Sequence, residues 1–187
     1  VVRWSSEPDG NLLGIGPSVS NPLTGEIISA DVVNKLLAIK LGYNYRKLYG
    51  YTEDNDPLMQ YITNLTLHEV GHVLGLRHNF RGSYLYSPDE IHDKNITGNV
   101  LMSSVMDYDP INIAPEGVEQ GIYFSTEPGV YDKWAVKFGY TPNLTDEERT
   151  ALLQQSVKRE LTFGTDDDAM SYPGNNIDPR TKRYDMS

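Results

Sequence analysis

Apolar residues recur at helical spacing in the middle of the chain and lead into a group of histidines. The pattern follows Asp56-Pro57 and consists of Met59, Ile62, Leu65 and Leu67. Aspartate favours the N-cap of a helix and proline its first turn, so this pair predicts where the helix begins. No further proline and no glycine interrupts the segment before the histidines. The pattern therefore predicts one long central helix.

The first fifty residues alternate turn signals with short apolar runs. Residues 1–5, 12–20 and 26–30 are predicted to be strands, and the last two form a hairpin across residues 21–25. Asp31 is a favourable N-cap, so we expect a helix from there through Lys40 that ends at Gly42. The N-terminal part is therefore predicted to be a small sheet followed by a helix.

Beyond the histidines the chain is richer in loop-forming residues. Residues 130–138 predict a helix that ends at Gly139, and the capping box of Thr145 and Glu148 predicts a second helix towards Leu161. We expect an α+β fold in three parts. These are an N-terminal subdomain with a partial sheet and the central helix (1–79), a mostly irregular and helical C-terminal subdomain (80–163) and an irregular polar tail (164–187).

Composition narrows the classes of function. With 16 basic and 26 acidic residues, the formal net charge is −10, which disfavours nucleic acid and anionic membrane surfaces as partners. The chain has no cysteine, so any metal must be held by nitrogen and oxygen ligands. No apolar run is long enough to cross a bilayer, and there is neither an initiator methionine nor a signal peptide. We expect a processed piece of a longer protein, with its targeting signal elsewhere or absent.

Residues 68–78 have the form H-E-x-x-H-x-x-G-x-x-H. His68 and His72 are four residues apart, about 40° around a helix axis, so both imidazoles can reach one ion. On a continuing helix, His78 would lie about 9 Å further along the axis and about 120° away from that face. Gly75 removes the problem, because glycine adopts the left-handed conformation that ends a helix and turns the chain back. The motif predicts a zinc site with His68, His72 and His78 as ligands.

Three neutral imidazoles leave one coordination position of zinc open, which is typical of a catalytic site. Glu69 is next to one ligand, so we predict that it is the general base for a zinc-activated water that hydrolyses a peptide bond. A competing arrangement uses Glu90 as third ligand, but it leaves Gly75 and His78 without a role. The alternative to an endopeptidase is a zinc-stabilised binding or scaffold domain of a larger protein, catalytically weak or inactive, which would not require Glu69.

A second motif, Ser104-Val105-Met106-Asp107-Tyr108, follows further along the chain. Together the two motifs resemble the metzincin clan of zinc endopeptidases, in which a methionine-containing turn lies below the zinc ligands. The resemblance implies one catalytic zinc, places Met106 beneath the imidazoles and brings Tyr108 to the zinc or the reaction intermediate. Residues 78–80, 104–108 and 131–135 are most similar to bacterial zinc-dependent metalloproteases with a Met-zincin domain.

The fold of the clan implies that residues 12–18 form an edge strand above the cleft, with residues 26–30 as its hairpin partner. Leu13, Gly14 and Ile15 would then pair with an extended peptide or protein substrate. Metzincins begin with a strand, a helix and a second strand before this point, so we expect part of the N-terminal sheet to be missing from this chain. The resemblance also implies export to the periplasm, the cell surface or the medium.

The acidic run Asp166-Asp167-Asp168 suggests Ca²⁺ as a minor second cofactor. It lacks the loop spacing that an oxygen-ligand site needs, so we interpret it as a solvated acidic run.

Overall fold

The N-terminal part of the protein is built around a small mixed sheet. The computed structural model describes residues 1–6 and 13–169. Strand β1 (Val2–Ser5) runs parallel to β5 (Val32–Lys35), and β2 (Gly14–Ile15) pairs antiparallel with β5 on its other side. The β-branched pair Val32-Val33 suits the central strand. The order β1-β5-β2 leaves β2 at an edge of the sheet.

A two-stranded hairpin lies between β2 and β5 in the sequence. β3 (Ser18–Ser20) pairs antiparallel with β4 (Ile27–Ala30), which confirms the predicted hairpin with shorter strands. The prediction of one continuous strand over residues 13–20 is wrong, and residue 12 lies outside the described residues. The strand is interrupted at Gly16-Pro17, where proline has no backbone N–H to continue a ladder. The edge strand β2 therefore pairs with β5, and residues 26–30 are not its partner.

Helix α1 (Leu36–Tyr49) begins and ends later than predicted. Asp31 does not cap it, because its carboxylate accepts hydrogen bonds from Arg3 at 3.0 Å and the chain continues into β5. Gly42 does not end it either. A Cβ atom there would lie 2.8 Å from the Leu58 side chain, so the glycine lets α1 pack closely on the following helix.

Helix α2 (Pro57–Val73) starts where the sequence predicts. The Asp56 side chain accepts a hydrogen bond from the backbone N–H of Leu58 at 3.0 Å and pairs with Arg46 of α1. A cluster of buried side chains forms the core here: Ala38, Tyr61, Tyr123 and Phe124. This core holds α2 against both α1 and the segment around residue 124.

The remaining described helices are α3 (Lys94–Thr97), α4 (Val130–Tyr140), α5 (Asp146–Leu153) and α6 (Asp166–Ala169), with 3-10 turns at Gly82–Tyr84, Gln154–Val157 and Arg159–Leu161. The helices predicted near residues 130 and 145 are confirmed, but the predicted end of the first at Gly139 is wrong, because α4 continues to Tyr140. Both hydrogen bonds of the Thr145 and Glu148 capping box are present. The second of these helices was predicted too long, because 3-10 turns replace the α-helix after Leu153.

The prediction of an irregular tail is wrong for residues 166–169, which form α6. Residues 170–187 lie outside the described residues. The whole is the predicted α+β fold, with a small mixed sheet, one long central helix and a largely irregular and helical second half. Among the described residues, no helix is long and apolar enough to cross a membrane. The division of the chain at residues 79 and 163 stays a prediction.

Candidate metal centre

Helix α2 presents His68 and His72 side by side, one turn apart, with ring centroids separated by 4.8 Å. The Nδ1–H of His68 donates to the carbonyl oxygen of Val105 at 2.7 Å, and the Nδ1–H of His72 donates to that of Leu76 at 3.1 Å. A carbonyl oxygen can only accept, so in both rings Nδ1 carries the proton. The lone pair of each Nε2 is therefore available to a metal.

A turn at Gly75 returns the chain to this point. Gly75 has a φ of +84°, in the left-handed region that suits glycine, and its N–H donates to the carbonyl of His72 at 2.9 Å. The N–H of Leu76 donates to the carbonyl of Gly71 at 2.9 Å, which closes the helix end. After this turn the Nε2 of His78 lies 3.2 Å from the Nε2 of His72.

Asp166, at the start of α6, orients the third imidazole. Its Oδ2 accepts a hydrogen bond from the Nδ1–H of His78 at 2.8 Å, and both side chains are largely buried. The interpretation of residues 166–168 as a solvated acidic run is wrong for Asp166. No local sequence pattern indicates this contact, because the two residues are 88 positions apart. The neighbouring pair of Arg77 and Asp167 is exposed.

The three histidines fit a zinc ion. Their ligand nitrogens all lie within 4.8 Å of one another, and each ring has an oxygen partner at Nδ1, as metal-bound histidines usually do. Burial lowers the pKa of His68 to about 4 and also lowers that of His72, so both rings are neutral at pH 7, as metal binding requires. Glu90 is wrong as an alternative third ligand, because its carboxylate is exposed and bonded to Ser87.

Glu69 is the buried carboxylate of this site. Burial raises its pKa to about 7, and the side chain is only 5% exposed. The edge strand β2 lies directly against it, since a Cβ atom at Gly14 would be 2.6 Å from Oε1 of Glu69. A Cβ atom at Gly16 would likewise clash with the backbone carbonyl oxygen of Glu69. Only glycine at these two positions allows the strand to approach the helix so closely.

The predicted zinc ligands, the predicted base, Tyr108 and the predicted substrate-binding residues line one cleft of about 940 Å³. The substrate-binding residues are Leu13, Gly14 and Ile15, and Glu69 is the predicted base. Gly75 does not line the cleft. Tyr108 stacks on the ring of His68 with a centroid distance of 5.4 Å, and its hydroxyl donates to Nε2 of His78 at 2.8 Å. The Tyr108 hydroxyl therefore lies beside the Nε2 atom of His78, where a metal would bind.

Met106 lies beneath α2 and does not line the cleft. It is fully buried, and its sulfur occupies the space that a side chain at Gly71 would need. Gly71 is the second variable position of the histidine motif, and the motif alone indicates no role for it. The contact places Met106 against α2 within the segment that joins His68 to His72.

The histidine motif and the methionine-containing turn fall within one family match. A family model described as Met-zincin matches residues 51–187. The chain belongs to the Met-zincin family. Comparisons with curated proteins and with solved structures found no match.

In this Met-zincin chain, a buried aspartate holds the methionine-containing turn in place. Asp132 of α4 accepts hydrogen bonds from the hydroxyl of Ser104 at 2.6 Å, the N–H of Val105 at 2.8 Å and the N–H of Gly129 at 2.9 Å. Burial raises the pKa of Asp132, while these three donors favour its charged form. In the sequence, Asp132 stands out only as part of residues 131–135, which resemble the bacterial metalloproteases. Its contacts with Ser104 and Val105 join residues far apart in the sequence, so no local pattern indicates them.

Proposed function

We propose that this Met-zincin domain is a zinc-dependent endopeptidase that hydrolyses peptide bonds with Glu69 as the general base. The observation that carries the proposal is the convergence of three imidazoles and a buried carboxylate in one cleft under a free strand edge. A merely structural zinc site would need neither the carboxylate nor the cleft.

Zinc would be held by the Nε2 atoms of His68, His72 and His78. When bound, it supplies Lewis acidity, which polarises a carbonyl group and lowers the pKa of a water to about 7. The Nδ1 partners of the three rings keep the imidazoles in the tautomer that can bind it.

Glu69 and Tyr108 have separate roles in this proposal. Glu69 takes a proton from the water as the water oxygen bonds to the carbonyl carbon. It then gives this proton to the amide nitrogen as the C–N bond breaks, so that a carboxylic acid and an amine are released. A buried carboxyl with a pKa near 7 is suited to both transfers. The Tyr108 hydroxyl, which can donate a hydrogen bond, stabilises the negative charge that develops on the carbonyl oxygen.

The substrate would lie as an extended strand along β2. One side of β2 pairs with β5, and no described strand pairs with the other side, so its backbone groups can bind a peptide. Leu13, Gly14 and Ile15 would provide this edge. In line with the resemblance to bacterial metalloproteases, we also propose that the domain acts after export.

A Glu69→Gln substitution tests the assigned base. The variant keeps the size of the side chain and the three histidines, so zinc content should stay at one ion per chain. The turnover of a peptide library should fall by about 10²- to 10⁴-fold, the range expected for loss of a general base. Metal analysis and mass spectrometry of the digest measure the two quantities.

Glu90→Gln is the matched control, since this glutamate is exposed and bonded only within its own turn. Hydrolysis by Glu69→Gln at the parental rate would show that the base is misassigned. A parent protein that binds zinc but cleaves no peptide, with or without a chelator, would favour the alternative of a binding or scaffold domain.

A further inference from the structure

The cleft contains a carboxylate that the proposed mechanism does not use. Asp109 directly follows Tyr108 and lines the cleft. Its Oδ2 is buried and has no hydrogen-bond partner. Of the other two carboxylates that line the cleft, Asp107 accepts from the N–H groups of Ser83 and Tyr108, and Glu69 is the proposed general base. Asp109 is therefore the cleft carboxylate with an oxygen that neither a hydrogen bond nor the proposed mechanism uses.

Aromatic side chains line the same cleft as Asp109. Tyr45, Tyr61 and Phe124 form a cluster with ring centroids 5.1 to 5.8 Å apart, and all three line the same cleft. Burial raises the pKa of Tyr45 and Tyr61, and the charge of Asp109 adds to the rise. Among the described residues that line the cleft, none is a lysine or an arginine.

A buried carboxylate oxygen without a hydrogen-bond partner is costly, and a cation that reaches it reduces the cost. The aromatic rings of the same cleft would add cation–π attraction for such a cation. Burial raises the pKa of Asp109 to about 7, so its charge is poorly stabilised without a cation. The acidic chain as a whole, with a net charge of −10, also attracts basic peptides.

We infer that Asp109 selects substrates that carry a lysine or arginine side chain close to the bond to be cleaved. The inference rests on the proposed peptidase function and narrows its substrate class from any extended peptide to basic ones. Asp109 would act as a selectivity residue, which binds the substrate side chain and takes no part in proton transfer.

Peptide binding to the zinc-loaded full chain tests the inference without turnover, in a Glu69→Gln background. Fluorescent peptides carry one lysine that is moved through successive positions, and each is paired with a peptide that has uncharged norleucine at that position. We expect one position at which the lysine peptide binds at least about tenfold more tightly. Asp109→Asn and Asp109→Ala should both bring that ratio close to one.

Asp89→Asn is the matched control, because it removes the same charge from an exposed residue that does not line the cleft, and it should leave the ratio unchanged. Equal binding of both peptides at all positions, a preference that survives in both Asp109 variants, or no binding of any peptide would overturn the inference. Digestion of the same peptides by the parent separates the two proposals. Cleavage without preference refutes the selectivity alone, whereas selective binding without cleavage refutes the peptidase.

Discussion

The Nδ1 partners of the three histidines differ in chemistry. His68 and His72 donate to backbone carbonyls, whereas His78 donates to the carboxylate of Asp166. A hydrogen bond to an ionised acceptor is roughly twice as strong as one between neutral groups, and the negative charge makes the imidazole a better ligand. The third ligand therefore depends on a side chain that neither motif contains.

Asp166→Ala should weaken zinc binding by about 10- to 100-fold, the usual effect of removing such a partner. Competition between the protein and a chromophoric chelator measures the affinity. Asp166→Asn, which can still accept a hydrogen bond, should lose less. Asp167→Ala is the control, since it removes only the exposed pair with Arg77. Unchanged zinc affinity in Asp166→Ala would mean that the contact does not position His78.

Local geometry decides which of these residues can be found in the sequence. His68, Glu69 and His72 share two turns of one helix, so their spacing alone places them together. Asp132 and Asp166 reach the site through tertiary contacts, and no spacing rule connects them to the histidines. Their partners could be identified only from the fold. The metal and catalytic roles themselves stay predictions until the variants are measured.

At the scale of elements, the relation between β2 and α2 is the most constrained. β2 has two residues, yet glycines at and beside it bring its backbone against the side chain and the carbonyl of Glu69. The position of the carboxylate is thus set by a strand as well as by its own helix. A displacement of β2 would move Glu69 without touching the histidines.

Gly14→Ala tests this coupling. The added methyl group would lie 2.6 Å from Oε1 of Glu69, so the carboxylate must move. Misplacement of a catalytic group by about 1 Å costs about 10²-fold, and we expect a loss of that order in kcat, with zinc affinity unchanged. Gly139→Ala is the matched control, because a Cβ atom there meets no other atom. Parental turnover in Gly14→Ala would rule out the proposed contact between the strand and the base.

The sequence predicted element boundaries well where capping residues mark them, as at Asp56 and Thr145. The predicted start of α1 is wrong, because the valines at 32 and 33 also fit a helical pattern, whereas in the structure they pair with β1. The prediction that α1 ends at Gly42 is wrong for a related reason. Its role is close packing on α2, which no local pattern distinguishes from a helix end.

For the molecule as a whole, buried ionisable groups couple stability to pH. Burial raises the pKa of Asp109 to about 7, above its value in an unfolded chain, so the folded state binds more protons between about pH 4 and 7. The free energy of unfolding contributed by this group is therefore lost as the pH rises through that window. His68, with a pKa lowered to about 4, acts in the opposite direction.

Asp109→Asn should remove this loss. The stability advantage of the variant over the parent should be about 3 kcal/mol larger at pH 8 than at pH 5, because each unit of pKa shift corresponds to about 1.4 kcal/mol. Urea unfolding at both values, with the same zinc loading, measures it, and the difference between the proteins cancels the effect of His68. If the difference in unfolding free energy between variant and parent were the same at both pH values, burial would not raise the pKa of Asp109.

The contact between His78 and Asp166 also bears on the order of events during synthesis. The two residues are 88 positions apart, and ribosomes add roughly 5–20 residues per second. The helix with its two histidines is thus translated at least about 4 s before the aspartate that orients the third. During this interval the nascent chain lacks the partner of His78, so the predicted zinc site is complete only after the segment around Asp166 has emerged and docked.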